Sequence, residues 1–390
     1  MGSKSAESNG TPATDYSALT WRDHWVHQKD DNGLMSHRAR FRFLPPFEGR
    51  MVQPWGLAQM DNGETVVAGV ASDMKSSHGQ TVVAFSSDTG ATWSEHVAIE
   101  GCSSRPMMLV YLGKGELSFM TSWEESGNTR LYSKDYGRTW TERVAMETAP
   151  DGTTVDSEGN TLVDRDEQGV AVLMAETGQT MSKGPFPVNP CCGCIRWSRN
   201  GGRSWERFSW PEQWTWKDVY EGKTHVRGVG EGGLVRAANG WIVAALRTDM
   251  AMRYVPLHYD NFEGTAVSIS KDEGNTWSPL KTVFGPGRHH ATLVRLPNND
   301  LVLTAIRRLD MHSGQLDSYR RGCDAVISHD NGQTWDVEHM YILDDFAAIG
   351  TDNWYTVVCG HQFSVSLGDG SILTAYGNYR NAGALVHWSP

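Results

Sequence analysis

The chain has no apolar run long enough to cross a bilayer, and its apolar residues show almost no helical periodicity. The sequence therefore predicts no membrane span and little helix. Basic residues are also scarce: 35 Lys and Arg stand against 46 Asp and Glu, for a formal net charge of −11. Phosphate binding needs a basic footprint, so this balance argues against nucleic-acid binding, although a local pocket can still attract an anionic small molecule.

Cysteine is sparse, with six residues in 390, and three of them crowd into Cys191–Cys194. No second pair of Cys or His residues follows at the spacing of a zinc finger, so we expect free or partly paired thiols in this segment. We expect no bound metal and no cofactor. The polar start, Met1–Gly10, contains no signal peptide. We assign residues 1–37 to an N-terminal tail or extension, and the cellular location stays open.

One short motif repeats along the chain. The segment Ser86–Trp93 has the form Ser-x-Asp-x-Gly-x-Thr-Trp, and this form recurs at Ser133–Trp140, Ser270–Trp277 and Ser328–Trp335. A weaker copy, Ser198–Trp205, has Asn for Asp and Ser for Thr. The Asp or Asn side chain bonds its own turn, and Gly supplies the positive φ that the turn needs. We therefore interpret the motif as a hairpin staple without a direct role in catalysis.

Short strands with period-two alternation surround each copy of the motif and predict successive four-stranded units. A sixth unit without the motif begins at Phe363, and the chain ends there one strand short. Because an open ring would leave an unpaired edge, we expect an N-terminal strand within Arg38–Leu44 to complete this unit. The predicted fold class is all-β: a single six-bladed β-propeller over residues 38–390, closed by an N-terminal strand.

In a propeller the first strand of each blade lines the axis, and its start opens on the same face as the end of the second strand. This rule predicts which side chains meet in one funnel. The starts of first strands supply Gln53, Arg105, Asp156 or Glu158, Glu231, His289 or His290, and His361 or Gln362. The ends of second strands supply Asp73, Glu124, Glu176, Arg247, Arg307 or Arg308, and Tyr376 or Tyr379. Such a mixture of acids, bases and arginines is typical of an active site.

The repeated motif and the blade pattern resemble the Asp boxes and propeller of the sialidase superfamily, over roughly residues 38–390. This resemblance implies the fold more than the reaction, because one scaffold hosts several chemistries. Sialidases hold the substrate carboxylate with three arginines and use a tyrosine nucleophile polarised by a glutamate. An aspartate in a first-blade loop serves as acid/base. A neutral phenol avoids the repulsion between the sugar's own carboxylate and a carboxylate nucleophile.

The segment Gly230–Arg247 matches the superfamily best. The resemblance implies that Glu231 is the polarising glutamate and that Arg247 binds the substrate carboxylate, which suits the rigid fork of a guanidinium. The remaining substrate-binding candidates are Arg50 or Arg42 for the opening arginine, Arg307 with Arg308, Arg320 and Arg321 as competitors, and Arg105 and Gln53 from the strand starts.

The sixth unit departs from the superfamily pattern. His361 stands about where the superfamily places its tyrosine, while Tyr355 and Tyr379 lie nearby and are still able to enter the pocket. Without a tyrosine, His361 together with His289 and His290 would suggest a histidine acid/base, with metal ligation by the three as a weaker alternative.

The acid/base of a hydrolase is expected at Asp73, in the loop before the first motif, with His78 as its alternative. Two long loops, 177–194 and 250–263, differ most from their repeat mates. Exposed loops of this kind usually carry specificity, so we expect them to contact the substrate.

Three functions fit these residues. The leading hypothesis is a carbohydrate-active enzyme, a glycoside hydrolase that releases a terminal, anionic sugar from a glycan and uses Glu231 with a tyrosine or histidine partner. The first alternative is a polysaccharide lyase, in which arginine holds a uronate carboxylate and a His or Tyr removes the α-proton. The second is a non-catalytic propeller that binds glycans or proteins. The sequence does not fix the sugar, the linkage or the oligomeric state.

Overall fold

A computed structural model describes residues 20–72, 79–121, 128–181, 190–256, 261–312, 315–347, 360–377 and 383–390. Within these ranges the chain is all-β, and the only helical elements are two short 3-10 helices, Glu212–Trp214 and Met252–Tyr254. No helix in the same ranges is long and apolar enough to span a membrane. The near absence of helix agrees with the missing helical periodicity.

The strands of the described ranges are, in chain order, β1 (Arg22–Asp30), β2 (Gly33–Phe43), β3 (Met51–Gln59), β4 (Thr65–Ser72), β5 (Gln80–Ser86), β6 (Val97–Ala98), β7 (Met107–Gly113), β8 (Glu116–Met120), β9 (Thr129–Ser133), β10 (Glu142–Ala145), β11 (Leu162–Arg165), β12 (Ala171–Met181), β13 (Cys191–Ser198), β14 (Arg207–Ser209), β15 (Trp216–Tyr220), β16 (Lys223–Arg227), β17 (Val229–Arg236), β18 (Ile242–Thr248), β19 (Gly264–Ser270), β20 (Lys281–Phe284), β21 (Arg288–Arg295), β22 (Leu301–Arg307), β23 (Asp310–His312), β24 (Gln315–Ser318), β25 (Arg320–Ser328), β26 (Tyr341–Ala347), β27 (Gln362–Ser366), β28 (Ile372–Gly377) and β29 (Gly383–Trp388).

The sheets follow one another in a propeller-like arrangement. Strands β3–β6, β7–β10, β11–β14 and β17–β20 form four antiparallel sheets of four strands each, with the strands in chain order. A nine-stranded sheet has the order β21-β22-β25-β26-β1-β2-β29-β28-β27, and the pairs β15-β16 and β23-β24 form small hairpins. Strand β3 contacts both β7 and β27, strand β17 contacts β12 and β21, and β21 contacts β27. The first strands therefore surround one axis.

The core lies between successive sheets. Val66 of the first sheet and Leu117 of the second belong to one buried cluster, and Ile195 of the third sheet packs in another with Ile242 of the fourth. All four residues lie on the inner strands of their sheets, where apolar neighbours cover both faces of the sheet. Burial of each such side chain stabilises the fold by about 1.5–3 kcal/mol.

The N-terminal strand joins the last sheet as the sequence predicts. Strand β2 pairs antiparallel with β29, from Arg40 opposite His387 to Phe43 opposite Ala384. The strand is longer than the predicted 38–44 segment, and it forms a hairpin with β1, which also pairs with β26. Residues 22–37, assigned to a tail, thus include β1 and the start of β2.

The repeated motifs form the expected turn staples. In the first copy the backbone N–H and the hydroxyl of Thr92 both donate to the Asp88 carboxylate, at 2.8 and 2.6 Å. The backbone N–H of Gly90 donates to Ser86 Oγ at 2.7 Å. Equivalent bonds to the acidic or amide side chain recur at Asp135, Asn200, Asp272 and Asp330.

Candidate functional site

Backbone bulges near the starts of the first strands build the site. Strands β3, β7, β17 and β21 each contain a register shift there. A bulge adds a residue and changes the direction of a side chain relative to the alternation of the strand. The shift in β17 includes Glu231, and that in β21 includes His290, whose φ of +52° is uncommon for a residue other than glycine. Regular alternation does not predict where these two side chains point.

A segment between β10 and β11 places a second glutamate beside the first. The carbonyl oxygen of Glu158 accepts a hydrogen bond of 2.9 Å from the Gly232 N–H, which fixes the segment against β17. Two residues on, the Asn160 side chain donates to Leu234 O at 2.7 Å and accepts from the Leu293 N–H at 2.8 Å. One partly buried amide therefore joins the strands that carry Glu231 and His290 to the segment that carries Glu158.

Three carboxyl groups converge at the axis. Oxygen atoms of Asp156, Glu158 and Glu231 all lie within 4.8 Å of one another. Each glutamate has its own histidine: Glu158 Oε2 lies 3.0 Å from His361 Nδ1, and Glu231 Oε2 lies 2.9 Å from His290 Nδ1. Both glutamates and both histidines are buried. They line one small cavity together with Gly159, Gly232, Ala291, Gln362 and Phe363.

Arginine and amide groups surround the pair of glutamates. Arg247 Nη1 lies 3.0 Å from Glu231 Oε2 and 3.2 Å from Glu263 Oε2. Gln179 donates to Glu231 Oε1 at 3.3 Å and accepts from Arg247 Nη2 at 3.2 Å. Arg105 Nη1 lies 3.8 Å from Glu158 Oε1. A guanidinium thus directly faces Glu231, whereas the arginine nearest to Glu158 is more distant.

Aromatic rings form one wall of the site. The Trp55 ring lies 4.2 Å from the His361 ring between centroids, and His361 lies 4.3 Å from the His290 ring. The Arg105 guanidinium lies over Trp55 at 4.8 Å, a favourable cation–π distance. The indole therefore holds His361 on one side while the second imidazole holds it on the other.

Burial changes the protonation of the site. It raises the pKa of Glu158 to about 8, and the nearby Glu231 charge acts in the same direction. Burial likewise raises the pKa of Asp156 to about 7, followed by the charges of the two glutamates. Burial lowers the pKa of His290 and of His361 well below the usual imidazole range. At neutral pH the site therefore holds a protonated Glu158 beside neutral histidines.

The structure brings together most of the residues proposed from the strand rule. The central group contains Glu231, His290, His361, Arg247 and Arg105. Gln53 lines an adjoining small pocket with Trp55 and His361. His289 lies behind His290, with its Nδ1 3.8 Å from Glu263 Oε2. Asp73, His78, Glu124, Tyr355 and Tyr379 lie outside the described residues.

Two proposed arginines lie elsewhere. Arg50 pairs with Glu48 at 2.8 Å, and its side chain is 36% exposed. Arg307 Nη2, at the end of β22, lies 3.0 Å from Asp345 Oδ1 of β26. Its neighbour Arg308 is buried, and its positive charge contributes to the lowered pKa of His290. Consecutive strand residues face opposite ways, so Arg308 rather than Arg307 acts on the central group.

Several contact residues were not selected from the sequence. Glu158 stood only as an alternative to Asp156, and Gln179 was missed because β12 continues to Met181, beyond the strand end placed at Glu176. Glu176 itself is buried between Arg130 and Arg196 and takes no part in the glutamate pair.

The tyrosine expected from the resemblance is not found in the described part of the site. Tyr376 donates its hydroxyl hydrogen bond to Asp344, away from the two glutamates. The central cavity has no tyrosine among its described lining residues, and His361 lies beside Glu158 instead. Within the described residues, the polar groups beside the two glutamates therefore come from Asp156 and from histidine, arginine and glutamine side chains.

Comparisons with known proteins agree with this architecture. The BNR/Asp-box repeat profile matches residues 326–337, which contain the fourth full copy of the motif. A sequence search of curated proteins gives no match.

Three solved structures are similar in fold. A Dyadobacter fermentans protein of unknown function has a TM-score of 0.60 at 16% identity, covering 90% of this chain and 99% of that one. A Hadza microbial sialidase has a TM-score of 0.57 at 15% identity, covering 87% and 66%. A Penicillium chrysogenum α-L-arabinanase, solved with arabinobiose, has a TM-score of 0.53 at 12% identity, covering 95% and 98%. The chain thus has a propeller-like all-β fold similar to that of these structures and carries a BNR/Asp-box repeat.

Proposed function

We propose that this protein is a glycoside hydrolase in which Glu158 and Glu231 are the catalytic pair. The observation that carries the proposal is their geometry: two buried carboxyl groups with oxygens within 4.8 Å of each other at the centre of the ring. Retaining glycosidases use two carboxyl groups about 5–5.5 Å apart, whereas inverting enzymes need room for a water between them. The short separation favours retention of configuration.

The electrostatic surroundings support different roles for the two carboxyl groups. Glu158 has a raised pKa and carries the proton that a general acid must deliver. Glu231 faces the Arg247 guanidinium at 3.0 Å and is suited to act as the nucleophile. His361 and His290 each touch one of these carboxyl groups and are expected to position it.

The reaction then has two steps. Glu158 donates its proton to the glycosidic oxygen as the bond to the anomeric carbon breaks, and a Glu231 oxygen bonds to that carbon. A water molecule next attacks the anomeric carbon, Glu158 accepts the proton from that water, and the ester bond to Glu231 breaks. The products are the free sugar and the shortened glycan.

The nature of the nucleophile bears on the sugar. A carboxylate nucleophile repels a sugar that carries its own carboxylate, which is the reason for a tyrosine in sialidases. In addition, Arg247 already faces two carboxylates, Glu231 and Glu263. We therefore propose a neutral terminal sugar in place of the anionic sugar expected from the sequence.

The lyase alternative draws on the neutral imidazoles. His290 and His361 have lowered pKa values and so are unprotonated bases at neutral pH. Each Nδ1, however, lies within 3.0 Å of a carboxylate oxygen, which leaves only Nε2 for proton abstraction. A lyase releases an unsaturated product, so the two reactions differ by one water in product mass.

We also propose that the ring has six blades. The nine-stranded sheet is interpreted as two blades, β21-β22-β25-β26 and β27-β28-β29-β2, with β1 between them. Together with the four separate sheets they make six four-stranded units. This division places Glu231, His290 and His361 on the first strands, or at the strand start, of three successive blades.

The test is identification of products by mass. The protein is incubated with neutral arabino- and hexo-oligosaccharides, sialosides and uronate-containing oligosaccharides. We expect hydrolysis of a neutral member and loss of activity in both Glu158→Gln and Glu231→Gln, whereas the surface control Glu48→Gln keeps full activity. An unsaturated product would show that the protein is a lyase and not a hydrolase. Release of free sialic acid would refute the proposal that the substrate sugar is neutral. Hydrolysis that persists in Glu231→Gln would refute the assigned pair.

A further inference from the structure

We propose that the Glu158, Glu231, His290 and His361 side chains also form a binding site for a zinc ion, which blocks the hydrolase. The donor atoms of Glu158, His290 and His361 all lie within 4.8 Å of one another. Glu231 joins them through its contact with His290. The inhibitory consequence rests on the proposed function, but metal binding itself does not.

Three distances among the four donors are close to those between the ligands of a tetrahedral zinc ion. The distance between Glu158 Oε2 and His361 Nδ1 is 3.0 Å, and that between Glu158 Oε2 and His290 Nδ1 is 3.9 Å. The distance between His290 Nδ1 and Glu231 Oε2 is 2.9 Å. Zinc bonds to nitrogen and oxygen of about 2.0–2.2 Å place two tetrahedral ligands about 3.4 Å apart. These three distances differ from this value by about 0.5 Å or less, so movements of a few tenths of an ångström bring these pairs of atoms to zinc spacing.

The carboxylate oxygens provide a second, independent observation. Glu158 Oε2 and Glu231 Oε2 are both buried, and neither accepts a well-aligned hydrogen bond from a described residue, although Arg247 Nη1 lies 3.0 Å from Glu231 Oε2 in an ion pair. The imidazole nitrogens are close to them, but not in the direction that a hydrogen bond requires. Nitrogen and oxygen atoms that lie this close together without a hydrogen bond have the arrangement of ligands around a single metal ion.

The donor set selects the class of metal. Two imidazoles and two carboxylates suit zinc and similar divalent transition ions, whereas magnesium and calcium prefer oxygen alone. Arg247 adds a positive charge 3.0 Å from Glu231, which opposes a dication. We therefore expect an affinity below that of structural zinc sites, as fits a reversible inhibitor.

The cysteine cluster is the competing zinc site, and its geometry is unfavourable. Cys191, Cys192 and Cys194 lie on strand β13, where successive side chains point to opposite faces. Cys191 therefore faces away from the other two. A site of this kind would need further ligands from another element, so these thiols serve as the matched control.

The experiment measures zinc binding to the whole chain by calorimetry, and the visible spectrum of bound Co²⁺ reports the coordination. We expect one Zn²⁺ per chain and a tetrahedral Co²⁺ spectrum. Affinity should fall at least about tenfold in His290→Gln and in His361→Gln. Glu158→Gln, which keeps the side-chain shape, should weaken binding as well. The double variant Cys192→Ser/Cys194→Ser should bind zinc like the unaltered protein, and Mg²⁺ should not compete.

The outcomes separate this proposal from the proposed function. Three results would overturn the proposed zinc site: equal zinc affinity in the histidine variants, loss of zinc binding in the cysteine variant, and no zinc binding by the unaltered protein. Zinc binding with no glycan hydrolysed would leave the metal site standing and remove the hydrolase. If hydrolysis occurs, we expect Zn²⁺ to inhibit it and a chelator to restore it, with weaker inhibition in a histidine variant that keeps measurable activity. Hydrolysis that is unaffected by saturating zinc would refute the inhibitory role.

Discussion

Glu158 and Glu231 are chemically identical side chains in different electrostatic surroundings. Glu231 lies 3.0 Å from the Arg247 guanidinium, whereas the arginine closest to Glu158, Arg105, stands 3.8 Å from its carboxyl group. Burial and the Glu231 charge raise the pKa of Glu158. A carboxyl group that keeps its proton beside a second carboxyl group paired with a guanidinium is the arrangement that an acid and nucleophile pair requires.

The first prediction concerns the pH dependence of hydrolysis. Glu158 must carry a proton to act as general acid, and its pKa of about 8 keeps it protonated up to that pH. We therefore expect kcat/KM to fall as pH rises above about 8, by about tenfold for each further unit. For a substrate with a poor leaving group, Glu158→Gln should lower kcat by about 10²–10⁴.

The control uses an aryl glycoside whose leaving group needs no proton. With it, the loss in Glu158→Gln should be small in the glycosylation step, and the fall above pH 8 should disappear. Equal losses for good and poor leaving groups would show that Glu158 is not the acid.

The sequence predicted part of this site because some of its residues follow the strand rule. Glu231 and Arg247 lie near a strand start and a strand end, where the strand rule and the family resemblance agree. The sequence left Asp156 and Glu158 as alternatives, because the segment that carries them forms no strand. Arg308 could not be separated from Arg307, since a shift of one residue reverses the direction of a side chain.

At the scale of the element, the Asp-box turn contains a strained position. The residue before the conserved glycine has a positive φ in every full copy, including +57° at Thr89 and +57° at Glu273. A β-branched residue pays more for this conformation than other residues do. In the weaker copy the same position is Gly201, which adopts a φ of +69°. The motif therefore tolerates backbone strain at this position, and a glycine there would relieve the strain.

The second prediction is that Thr89→Gly stabilises the protein. Relief of the positive φ outweighs the larger backbone entropy of glycine in the unfolded chain, for a net gain of about 0.5–1 kcal/mol. The matched control is Ala91→Gly in the same turn, where φ is not positive and the change should lower stability. Chemical denaturation measures both. A Thr89→Gly variant no more stable than Ala91→Gly would contradict the strain argument.

The bulges show what element patterns do not reveal. The short strands that the sequence predicts around the first copy of the motif are present as β3, β4 and β5. The register shifts in β17 and β21 have no comparable signal, although they aim Glu231 and His290. Long-range packing against the 156–160 segment decides these positions, and a local pattern does not contain it.

At the scale of the whole molecule, an N-terminal strand and the last strand, β2 and β29, meet in one sheet. The missing strand of the last unit allowed the pairing of β2 with β29 to be predicted, because an unpaired edge is unfavourable. Strand β1 was not predicted, since the last unit needs only one added strand. Its turn is nevertheless encoded in Asp30–Gly33, where the Asn32 N–H donates to Asp30 Oδ1 at 2.8 Å.

The third prediction compares two truncations. Removal of residues 1–43 deletes β1 and β2 and exposes the edge of β29, so we expect loss of cooperative unfolding and aggregation. Removal of residues 1–32 deletes β1 but keeps β2, so the closing pairs remain and the melting temperature should fall only modestly. Thermal unfolding with light scattering checks both. Equal behaviour of the two truncations would mean that β2 does not close the ring.

The most direct test of the central claim is to identify the nucleophile covalently. The protein is treated with a 2-deoxy-2-fluoro glycosyl fluoride of the neutral sugar that the substrate panel identifies, and the adduct is located by peptide mass spectrometry. We predict one adduct per chain, on Glu231, and none in Glu231→Gln. An adduct on another residue, or turnover with inversion of configuration and no adduct, would contradict the account.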